Sequence, residues 1–470
     1  PYTMAEQNTT TRKGKALAAD VLDTFKGGIR GTVIRPDEAG YDAARAIWNA
    51  MIDRRPRLIV RCAGAADVMR SLEFAREQGL AIAVRGGGHN IAGSALSDDG
   101  LVIGLSQMRT VRVDAVNKRA YVDPGATLAD VDHETQAFGL AIPLGINSTT
   151  GIAGLTLGGG FGWASRKLGM TVDSLISADV VTADGRLVKA SAKDNPDLFW
   201  AIRGGGGNFE FQLHLLGPQV HAGLVVFPLE QANAVFSKYR SFAEQLPDEM
   251  AVWAVLRKAP PLPFLPEQHH GKGIVVMALF HCGDPADAEK KTDEIRAFGK
   301  PIGEHVGRMP YTAWQQVLDP LLTPGARNYW KSHNFAKLSD DALAAIFQHA
   351  ATLPSPHTEI AIAQLGGKIS RVPTDSTAYS NRDMPFLMNV HGRWETAAED
   401  DGCIAWARSL FDATAPFATG GVYVNFMTQD EHDRVRSAYR PEVWKRLVEA
   451  KGKWDPQNIF RTNQNIPPSE

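Results

Sequence analysis

The sequence predicts a mixed fold of helices and strands that is divided into two domains. The chain has 470 residues, which is more than one ordinary domain contains. Its first part alternates strand-like and helix-like segments and begins with a strand–helix–strand unit. A hydrophobic content of 44% is sufficient to form the cores of both domains.

Hydrophobic periodicity predicts the elements of the first part. Residues 41–52 (YDAARAIWNAMI) place Ala44, Ile47, Trp48 and Met51 on one face of a helix. Residues 65–78 have the same helical spacing. Apolar runs predict strands at residues 57–61, 80–84, 101–105, 110–114 and 119–122, and a further helix is predicted at 127–138.

Three glycines follow the strand predicted at residues 80–84. Residues 85–90 (RGGGHN) have a backbone that accepts positive φ angles and lets a ligand approach closely. Successive N–H groups in such a turn form an anion site to which Arg85 adds a cation, so a phosphate or pyrophosphate is the natural ligand. His89 is the one nucleophilic side chain at the edge of this site. A tight turn closed by a surface histidine is the alternative interpretation.

Two more glycine-rich segments follow. Glycines at positions 151, 154 and 158–160 are too many for a helix interior, where each costs about 1 kcal/mol. They indicate a backbone pressed against a flat or anionic group, or one chain segment crossing another closely. Residues 178–189 predict a hairpin with Asp184 and Gly185 at its turn. A short helix predicted at 197–203 ends in the third glycine run, residues 204–207.

Charge and cysteine content exclude several classes of function. A net charge of -2 gives no electrostatic case for binding nucleic acid or an anionic membrane. Cys62, Cys282 and Cys403 are far apart and form no CxxC, so neither a disulfide framework nor a metal site is expected. The uncharged run at residues 137–165 contains eight glycines, which predicts buried loop and not a membrane helix. No signal-peptide pattern is seen, and a cytoplasmic location is expected.

The glycine runs do not match the common nucleotide-binding motifs. None has the GxGxxG spacing after a strand, and GxxxxGK[ST] is absent, so a Rossmann fold and a P-loop are not predicted. HExxH and GxSxG are absent as well. A large ligand, partly anionic and partly planar and held by several loops, is the simplest explanation. FAD or another bulky nucleotide fits this description.

Five segments carry a family resemblance. Residues 85–90 (RGGGHN), 150–160 (TGIAGLTLGGG) and 200–209 (WAIRGGGGNF) resemble the FAD-linked oxidases of the vanillyl-alcohol oxidase superfamily, which have a PCMH-type FAD-binding domain. Residues 454–468 resemble the tail of the berberine bridge enzymes. Residues 420–426 (GGVYVNF) are similar to the active-site strand of the same group. The resemblance extends from about residue 30 to the last residue.

The resemblance implies an α+β fold with a defined domain order. An FAD-binding domain of two α/β subdomains would occupy residues 30–227, after a mobile N-terminal segment at 1–29. A substrate domain with an antiparallel sheet backed by helices would occupy residues 228–420, with the Pro-rich residues 259–266 as a loop. A berberine-bridge-like segment, residues 421–470, would return to the FAD domain.

The resemblance also implies how FAD is held. In the family, the histidine that matches His89 bonds covalently to the 8α-methyl group of FAD, and a neutral imidazole is a suitable nucleophile for this. Many members have a second bond from a cysteine four residues before the glycine that matches Gly151. Asn147 occupies that position here, so a single histidyl link and no cysteinyl link is expected. The matching FAD-binding residues are Arg85, Gly86, Gly87, Gly88, Asn90, Ser94, Thr150, Gly151, Gly154, Gly158, Gly159, Gly160 and Asn425.

The sequence departs from the family pattern directly after Phe209. About six residues that normally lie along the adenine and pyrophosphate are missing, and the chain continues into residues 210–214 (EFQLH). Either the strand is shortened and residues 210–214 shift inward, or the sequence as given lacks those residues.

Three further side chains are candidates for catalysis and substrate binding. Tyr423 and Asn425 share one face if residues 422–426 form a strand. By resemblance that face meets FAD, and Tyr423 would be the catalytic base once a positive or hydrogen-bonding partner lowers the pKa of its phenol. Gln364 and His391 are predicted to line the substrate side. A structural role in the core is the alternative for each of the three.

The resemblance therefore implies an FAD-dependent oxidoreductase. Hydride would pass from an alcohol, sugar or amine carbon to covalently bound FAD, and dioxygen would reoxidise the cofactor. A dehydrogenase of the same fold that uses another acceptor is one alternative, and a flavin-holding protein without turnover is the other. A small-molecule substrate and an electron acceptor are the expected partners, with no nucleic acid, membrane or metal.

Overall fold

The computed structural model of the protein describes residues 16–203 and 208–470, with the backbone alone at residues 208–210. The predictions for the glycine run at 204–207 and for the first fifteen residues lie outside the described residues. Within the described ranges, no helix combines the length and the apolar composition that crossing a membrane requires.

Short helices and strands alternate in the first part of the chain. In order they are α1 (Ala19–Gly27), β1 (Thr32–Ile34), α2 (Tyr41–Arg45), β2 (Leu58–Arg61), α3 (Ala65–Gln78), β3 (Ile82–Arg85), β4 (Leu101–Gly104), β5 (Val111–Asp114), β6 (Arg119–Val122), α4 (Leu128–Gln136), β7 (Leu140–Ala141), α5 (Ile152–Leu157), α6 (Ser165–Leu168), β8 (Leu175–Val181), β9 (Leu187–Ser191), α7 (Pro196–Ile202), β10 (Asn208–Gln212) and β11 (His214–Leu215).

Longer strands and helices make up the second part. In order they are β12 (Gln219–Pro228), α8 (Ala232–Glu244), β13 (Met250–Lys258), β14 (Gly273–His281), α9 (Pro285–Arg296), β15 (Gly303–Pro310), α10 (Tyr311–Gln315), β16 (Arg327–Phe335), α11 (Asp340–Ala350), β17 (Glu359–Gln364), α12 (Lys368–Arg371), β18 (Phe386–Trp394), α13 (Asp400–Thr414) and α14 (Pro441–Trp454).

The first sheet contains the predicted strand–helix–strand unit. Its strand order is β1-β2-β4-β3, with β4 parallel to both β2 and β3. The helix of the unit, α3, has the predicted bounds, and Gly79 ends it with a φ of 65°. The unit is therefore confirmed, with β4 inserted between its two strands.

The N-terminal segment is not mobile throughout, contrary to the prediction for residues 1–29. Leu22 and Phe25 of α1 lie three residues apart and are buried in the core of the first sheet. The ring of Phe25 stacks on Phe74 of α3, with centroids 4.1 Å apart. This apolar contact holds the helix against the domain.

The helix predicted at residues 41–52 is wrong beyond Arg45. Ala46 has extended φ and ψ angles of -66° and 131°, which end α2. The following Asn49 is buried, donates from Nδ2 to Ile91 O and Asn328 O at 3.1 Å each, and accepts from Asn328 N at 2.9 Å. These tertiary hydrogen bonds tie the segment to β16 and override the local helical pattern.

The second sheet is antiparallel and has the order β5-β6-β10-β8-β9. The predicted hairpin is confirmed as β8 and β9, with Gly185 at its turn. β10, which spans the departure from the family pattern after Phe209, takes the central position between β6 and β8. The structure thus has a short central strand where the sequence departs from the family pattern.

The second glycine segment contains a short helix, but most of its glycines lie outside the helix interior, in agreement with the prediction. Gly154 lies inside α5, whereas Gly151 and Gly158 flank it as the N-cap and C-cap. Only one of the glycines therefore bears the cost of an interior helical position.

The third sheet is antiparallel and has the order β15-β12-β14-β13-β17-β18-β16. Helices α8, α9, α11 and α13 cover one face and form the largest core with it. The other face packs against Phe161 and Trp163 of the first part. It also packs against Tyr423 of the C-terminal segment, residues 421–470, which we call the tail. This second face is consequently the one that borders the glycine segments.

The tail follows the third sheet. Residues 422–426 do not form the predicted strand, because Val424–Phe426 is a 3-10 helix. Further on, Trp454 Nε1 donates to Asp197 Oδ2 at 3.1 Å and Lys451 Nζ donates to Phe460 O at 2.7 Å. The Asp197 contact brings the tail back to the first part of the chain.

Candidate functional site

The predicted glycine turn follows β3 and is supported by its own arginine. Gly88 has a φ of 74°, and a Cβ there would lie 3.1 Å from Arg85 Nε. Arg85 Nη1 donates to Ala44 O at 2.6 Å. Arg85 therefore fastens the turn to α2 in addition to placing a positive charge beneath it.

The first and second glycine segments cross each other. A Cβ on Gly87 would lie 2.7 Å from Gly151 Cα, and a Cβ on Gly151 would lie 2.9 Å from Gly87 Cα. Close packing therefore explains these two glycines. Gly154 differs, since a Cβ there would meet no atom within 4 Å. Its open side is available to a ligand.

His89 lies at this crossing as a neutral imidazole. Burial and the nearby Arg85 lower the pKa of His89 to about 4. Its ring stacks on Trp48 at a centroid distance of 5.1 Å, and its Nε2 lies 2.9 Å from Thr149 Oγ1. The side chain is thus held in one orientation with a nucleophilic, uncharged ring.

Asn147 is connected to His89 through Thr149. The Asn147 Oδ1 accepts from Thr149 Oγ1 at 2.9 Å and from Thr149 N at 3.3 Å. His89 and Asn147, the two positions that the resemblance relates to covalent attachment of FAD, are therefore linked through one side chain, although they are 58 positions apart in the sequence.

The tail packs on the second glycine segment through Asn425. A Cβ on Gly158 would overlap the Asn425 carboxamide, which leaves only glycine possible in this arrangement. Asn425 Nδ2 donates to Leu155 O at 3.2 Å and to Tyr423 Oη at 2.9 Å. The predicted pair of Tyr423 and Asn425 is adjacent, although by a 3-10 turn and not by strand alternation.

Tyr423 does not have the lowered pKa that a base role requires. Burial raises the pKa of its phenol to about 12, despite hydrogen bonds from Asn425 and from Gly160 N at 3.1 Å. Its ring is enclosed by Phe161, Phe426 and Tyr379. Its neutral hydroxyl accepts two hydrogen bonds and keeps its own proton for donation.

The remaining predicted FAD-binding residues lie in the same two loops. Asn90 Oδ1 accepts from Ser94 N at 3.0 Å, and Thr150 N donates to Asn147 O at 3.1 Å. Gly159 and Gly160 have φ angles of 117° and 77°. Gly86 is only partly buried, and the nearest atom to a Cβ there would be Pro124 O at 3.5 Å.

The third sheet presents a row of polar side chains toward the tail. Trp330 pairs with His391 and Ser332 with Asn389 across β16 and β18, so all four share one face. The ring of Trp330 lies 5.4 Å from Phe426 of the tail. Buried atoms in this row that have no hydrogen-bond partner among the described residues are Trp330 Nε1, Ser332 Oγ, Asn334 Oδ1, Asn334 Nδ2, Asn389 Oδ1 and His391 Nε2.

His391 therefore lies on the face that borders the tail, whereas Gln364 lies on the helical face. The Gln364 side chain accepts from Val252 N at 3.0 Å and donates to Ala243 O of α8 at 2.9 Å. It also borders a cavity of about 600 Å³ on the helical side. Gln364 has the parity of Ile360 and Ile362, which face the helices. The prediction that it lines the substrate side is wrong.

Sequence reasoning missed Trp48, Thr149, Trp330 and Glu359 as site residues. Trp48 falls on the face of the helix predicted at residues 41–52, and Trp330 lies in a segment with no motif. Glu359 offered a weak signal, because a charged residue opens the otherwise apolar run at residues 359–363. Its partner, His391, is 32 residues away, so spacing alone does not connect them.

The residues present fit FAD. The neutral imidazole of His89 suits attachment to a flavin ring, and the open side of Gly154 leaves room beside the second glycine segment. The row of unpartnered polar atoms on the third sheet supplies donors and acceptors for a large polar ligand, since buried polar groups are normally paired.

Comparisons with known proteins agree with this assignment. The profile of the family described as FAD binding domain matches residues 56–191, and that of the family described as berberine and berberine like matches residues 422–467. An FAD-linked oxidoreductase of Dictyostelium discoideum is 30% identical, over 97% of this chain and 98% of the relative. The (R)-6-hydroxynicotine oxidase of Paenarthrobacter nicotinovorans is 30% identical, over 94% of this chain and 97% of the relative.

A solved structure shows the same fold. The crystal structure of 6-hydroxy-D-nicotine oxidase from Arthrobacter nicotinovorans superposes with a TM-score of 0.85 at 28% identity. The match covers 97% of this chain and 100% of that chain. The similarity therefore includes both the glycine-rich part and the large antiparallel sheet.

Proposed function

The chain belongs to the FAD-linked oxidoreductases of the vanillyl-alcohol oxidase superfamily, with a berberine-like C-terminal segment, and we propose that it is an oxidase with FAD bonded to His89. The protein is an FAD-dependent oxidoreductase. The single covalent bond, the use of dioxygen and the roles of individual side chains are parts of the proposal.

The neutral, fixed imidazole of His89 is the observation that carries the proposal. A protonated ring would have no lone pair for attack, and the lowered pKa keeps His89 neutral in the physiological range. Stacking on Trp48 and the contact with Thr149 limit its rotation. Both interactions support a residue that bonds to one position of a large cofactor.

The other predicted residues would hold FAD along the two glycine segments. Gly86, Gly88, Asn90, Ser94, Thr150, Gly154, Gly159 and Gly160, which lie in or next to these two segments, would supply backbone and polar groups to it. When bound, FAD accepts two electrons from the oxidised carbon as a hydride and passes them to dioxygen. The structural glycines, Gly87, Gly151 and Gly158, would let the loops and the tail approach closely enough to form the site.

The substrate would lie between the tail and the polar face of the third sheet. Alcohol, sugar and amine carbons are all compatible with hydride transfer. Tyr423, with its neutral phenol, would donate a hydrogen bond to a group bound there.

We propose a domain order that the sheets support. A division just before Gln219 fits the structure better than the boundary at residues 227 and 228, because β12 spans Gln219–Pro228 and belongs to the third sheet. We propose residues 30–218 as the FAD-binding domain, 219–420 as the substrate domain and 421–470 as the returning segment.

Absorption spectra and acid precipitation test the proposal together. The purified protein should show flavin bands, and the yellow colour should stay in the acid-precipitated pellet. Hydrogen peroxide should form in air with at least one member of an alcohol, sugar and amine panel. Colour released into the supernatant would contradict the covalent bond. Flavin reduction without peroxide formation would indicate a dehydrogenase instead.

A further inference from the structure

A histidine–carboxylate pair lies on the substrate face of the third sheet. His391 Nδ1 lies 3.2 Å from Glu359 Oε1, and both residues belong to adjacent, paired strands, β17 and β18. A carboxylate oxygen can only accept, so Nδ1 carries the proton and donates it. On the opposite side of the ring, Nε2 has no hydrogen-bond partner among the described residues, and His391 is only 5% exposed. Its lone pair is thus free.

Charged groups on three strands define the protonation of this pair. Arg257 of β13 donates from Nη1 to Glu359 Oε2 at 3.2 Å, so each oxygen of the carboxylate has a partner. Arg393 of β18 is the third charged neighbour. Burial lowers the pKa of His391 more than Glu359 raises it. Burial opposes ionisation of Glu359, but His391 and the two arginines outweigh it and lower the pKa of Glu359. The pair is therefore an ionised carboxylate beside a neutral imidazole.

Aromatic rings connect the pair to the two other parts of the site. The ring of Trp330 meets His391 edge-on at 4.4 Å and lies 5.7 Å from Trp48, which stacks on His89. Trp330 also contacts Phe426 next to Tyr423. His391 consequently borders an aromatic wall that reaches both the FAD attachment residue and the tail.

We propose that His391 Nε2 is the proton acceptor of the oxidation, that Glu359 is its positioning residue, and that the substrate is an uncharged alcohol with an apolar or ring face. The inference rests on the proposed function and names the substrate class of that site. An imidazole whose second nitrogen is held by a carboxylate is the usual arrangement of a histidine base. Tyr423, the base that the sequence predicted, keeps its proton under the same conditions.

The step is balanced as an alcohol oxidation. The O–H bond of the substrate breaks and its proton passes to His391 Nε2, while the carbon–oxygen double bond forms. The C–H bond of the same carbon breaks, and its hydrogen leaves with the bonding electron pair as a hydride; FAD, held as proposed, would be the two-electron oxidant that accepts it. Glu359 stabilises the imidazolium that results.

The surrounding charges favour an alcohol over a protonated amine. Arg257 and Arg393 contribute two positive charges and Glu359 one negative charge, so an ammonium group would be repelled. Trp48, Trp330 and Phe426 offer flat surfaces to a ring. An uncharged hydroxyl beside a ring satisfies both features.

The first test reads the imidazole without turnover. In the purified protein labelled with ¹⁵N-histidine, with or without bound flavin, the His391 signal, identified by its loss in His391→Gln, should show a neutral ring with the proton on Nδ1 at pH 7. Glu359→Gln should lower the pKa of His391, because the carboxylate no longer attracts the imidazolium. Glu359→Asp should bring the pKa of His391 most of the way back to its value in the parent. A charged ring, or a proton on Nε2, would overturn the proposal.

The second test measures anaerobic flavin reduction by benzylic alcohols, pyranose sugars and amines of the same shapes. Alcohols should reduce the flavin, and His391→Gln should slow that step about 100- to 10,000-fold. His333→Gln is the matched control, since His333 is a buried histidine of the same sheet whose ring stacks on Phe411 at 4.1 Å on the helical side. Its flavin reduction should be unchanged.

The pH profile separates positioning from structure. In the parent, flavin reduction should rise with pH through a pKa below 6.5, and Glu359→Gln should move this rise to lower pH while reducing the plateau. Reduction by amines alone, or equal rates in His391→Gln and His333→Gln, would overturn the inference. A parent without flavin would contradict the proposed function, and the imidazole measurement then decides the pair by itself.

Discussion

Gly87 and Gly151 pack backbone against backbone, so that a Cβ on either residue would lie within 3.0 Å of the other residue's Cα. This contact joins the loop that carries His89 to the loop that carries Thr149. The separation of the loops is therefore set by the absence of two side chains. The covalent attachment proposed at His89 depends on that separation.

Gly87→Ala should separate the two loops. We expect the free energy of unfolding to fall by about 1–3 kcal/mol, the usual cost of overpacking, and less flavin to be retained. Urea denaturation and the ratio of flavin to protein absorbance measure both effects. Gly402→Ala is the control, because Gly402 is inside α13 with no atom within 4 Å of a Cβ. It should stabilise by about 0.5–1 kcal/mol. Equal behaviour of the two variants would contradict the close-packing argument.

His89→Ala should leave the flavin without its covalent bond. The colour should then move to the supernatant on acid precipitation, whereas the parent retains it in the pellet. His133→Ala, at an exposed histidine of α4, should behave like the parent. Colour that stays in the His89→Ala pellet would contradict this prediction and would place the covalent bond at another residue.

Asn147→Cys should create a second attachment to the flavin. Residue 147 is one side chain away from His89 through Thr149, and a thiolate there is the nucleophile that many family members use. Intact-mass spectrometry of the double variant with His89→Ala should show a flavin adduct. If that double variant holds no covalent flavin, residue 147 is not within reach of the ring.

Tyr423→Phe should lower the free energy of unfolding but have only a small effect on the rate of flavin reduction. The change removes the acceptor for Gly160 N and Asn425 Nδ2, so the free energy of unfolding should fall by about 1–3 kcal/mol. Tyr379→Phe is the control, since the Tyr379 hydroxyl has no partner among the described residues. Stopped-flow flavin reduction should slow less than in His391→Gln. A loss of about 100- to 10,000-fold with unchanged stability would instead make Tyr423 the base.

Asp132→Asn should remove a pH dependence of stability. Burial raises the pKa of Asp132 to about 7, and its main partner is Gln315 at 3.2 Å. Between the ordinary pKa of 3.8 and about 7, the folded state holds a proton that the unfolded state has lost. Stability from this group is therefore present at low pH and is lost as pH rises toward 7.

The variant should consequently gain stability relative to the parent across that range, by at most about 1.4 kcal/mol per pH unit. Urea unfolding at pH 4.5 and 7.5 measures this difference. Glu134→Gln, at an exposed carboxylate of the same helix, is the control. Because it keeps Asp132, its stability should follow the same pH dependence as that of the parent. An identical pH trend in Asp132→Asn and the parent would show that Asp132 is ionised when buried.

The local elements were predictable where the cause of each element is local. The bounds of α3 and β6 agree with the prediction, since the helical spacing before Gly79 and the apolar alternation at residues 119–122 each lie within a few residues. The hairpin of β8 and β9 is set by its turn in the same way. In contrast, α2 ends at Arg45 because Asn49 bonds to Asn328, 279 residues away, which no local pattern contains.

By itself the sequence determined the family, the three glycine segments, the likeness of His89 to a flavin attachment residue and the expectation of one bond instead of two. Only the tertiary structure decided which face of each strand in the third sheet packs against the helices and which packs against the tail. Period-two alternation shows that Gln364 and His391 each lie on one face of a strand, but packing against α8 and the tail determines which layer they meet. The same packing pairs His391 with Glu359 and raises the pKa of Tyr423, because burial and partners are properties of the assembled layers and not of the chain.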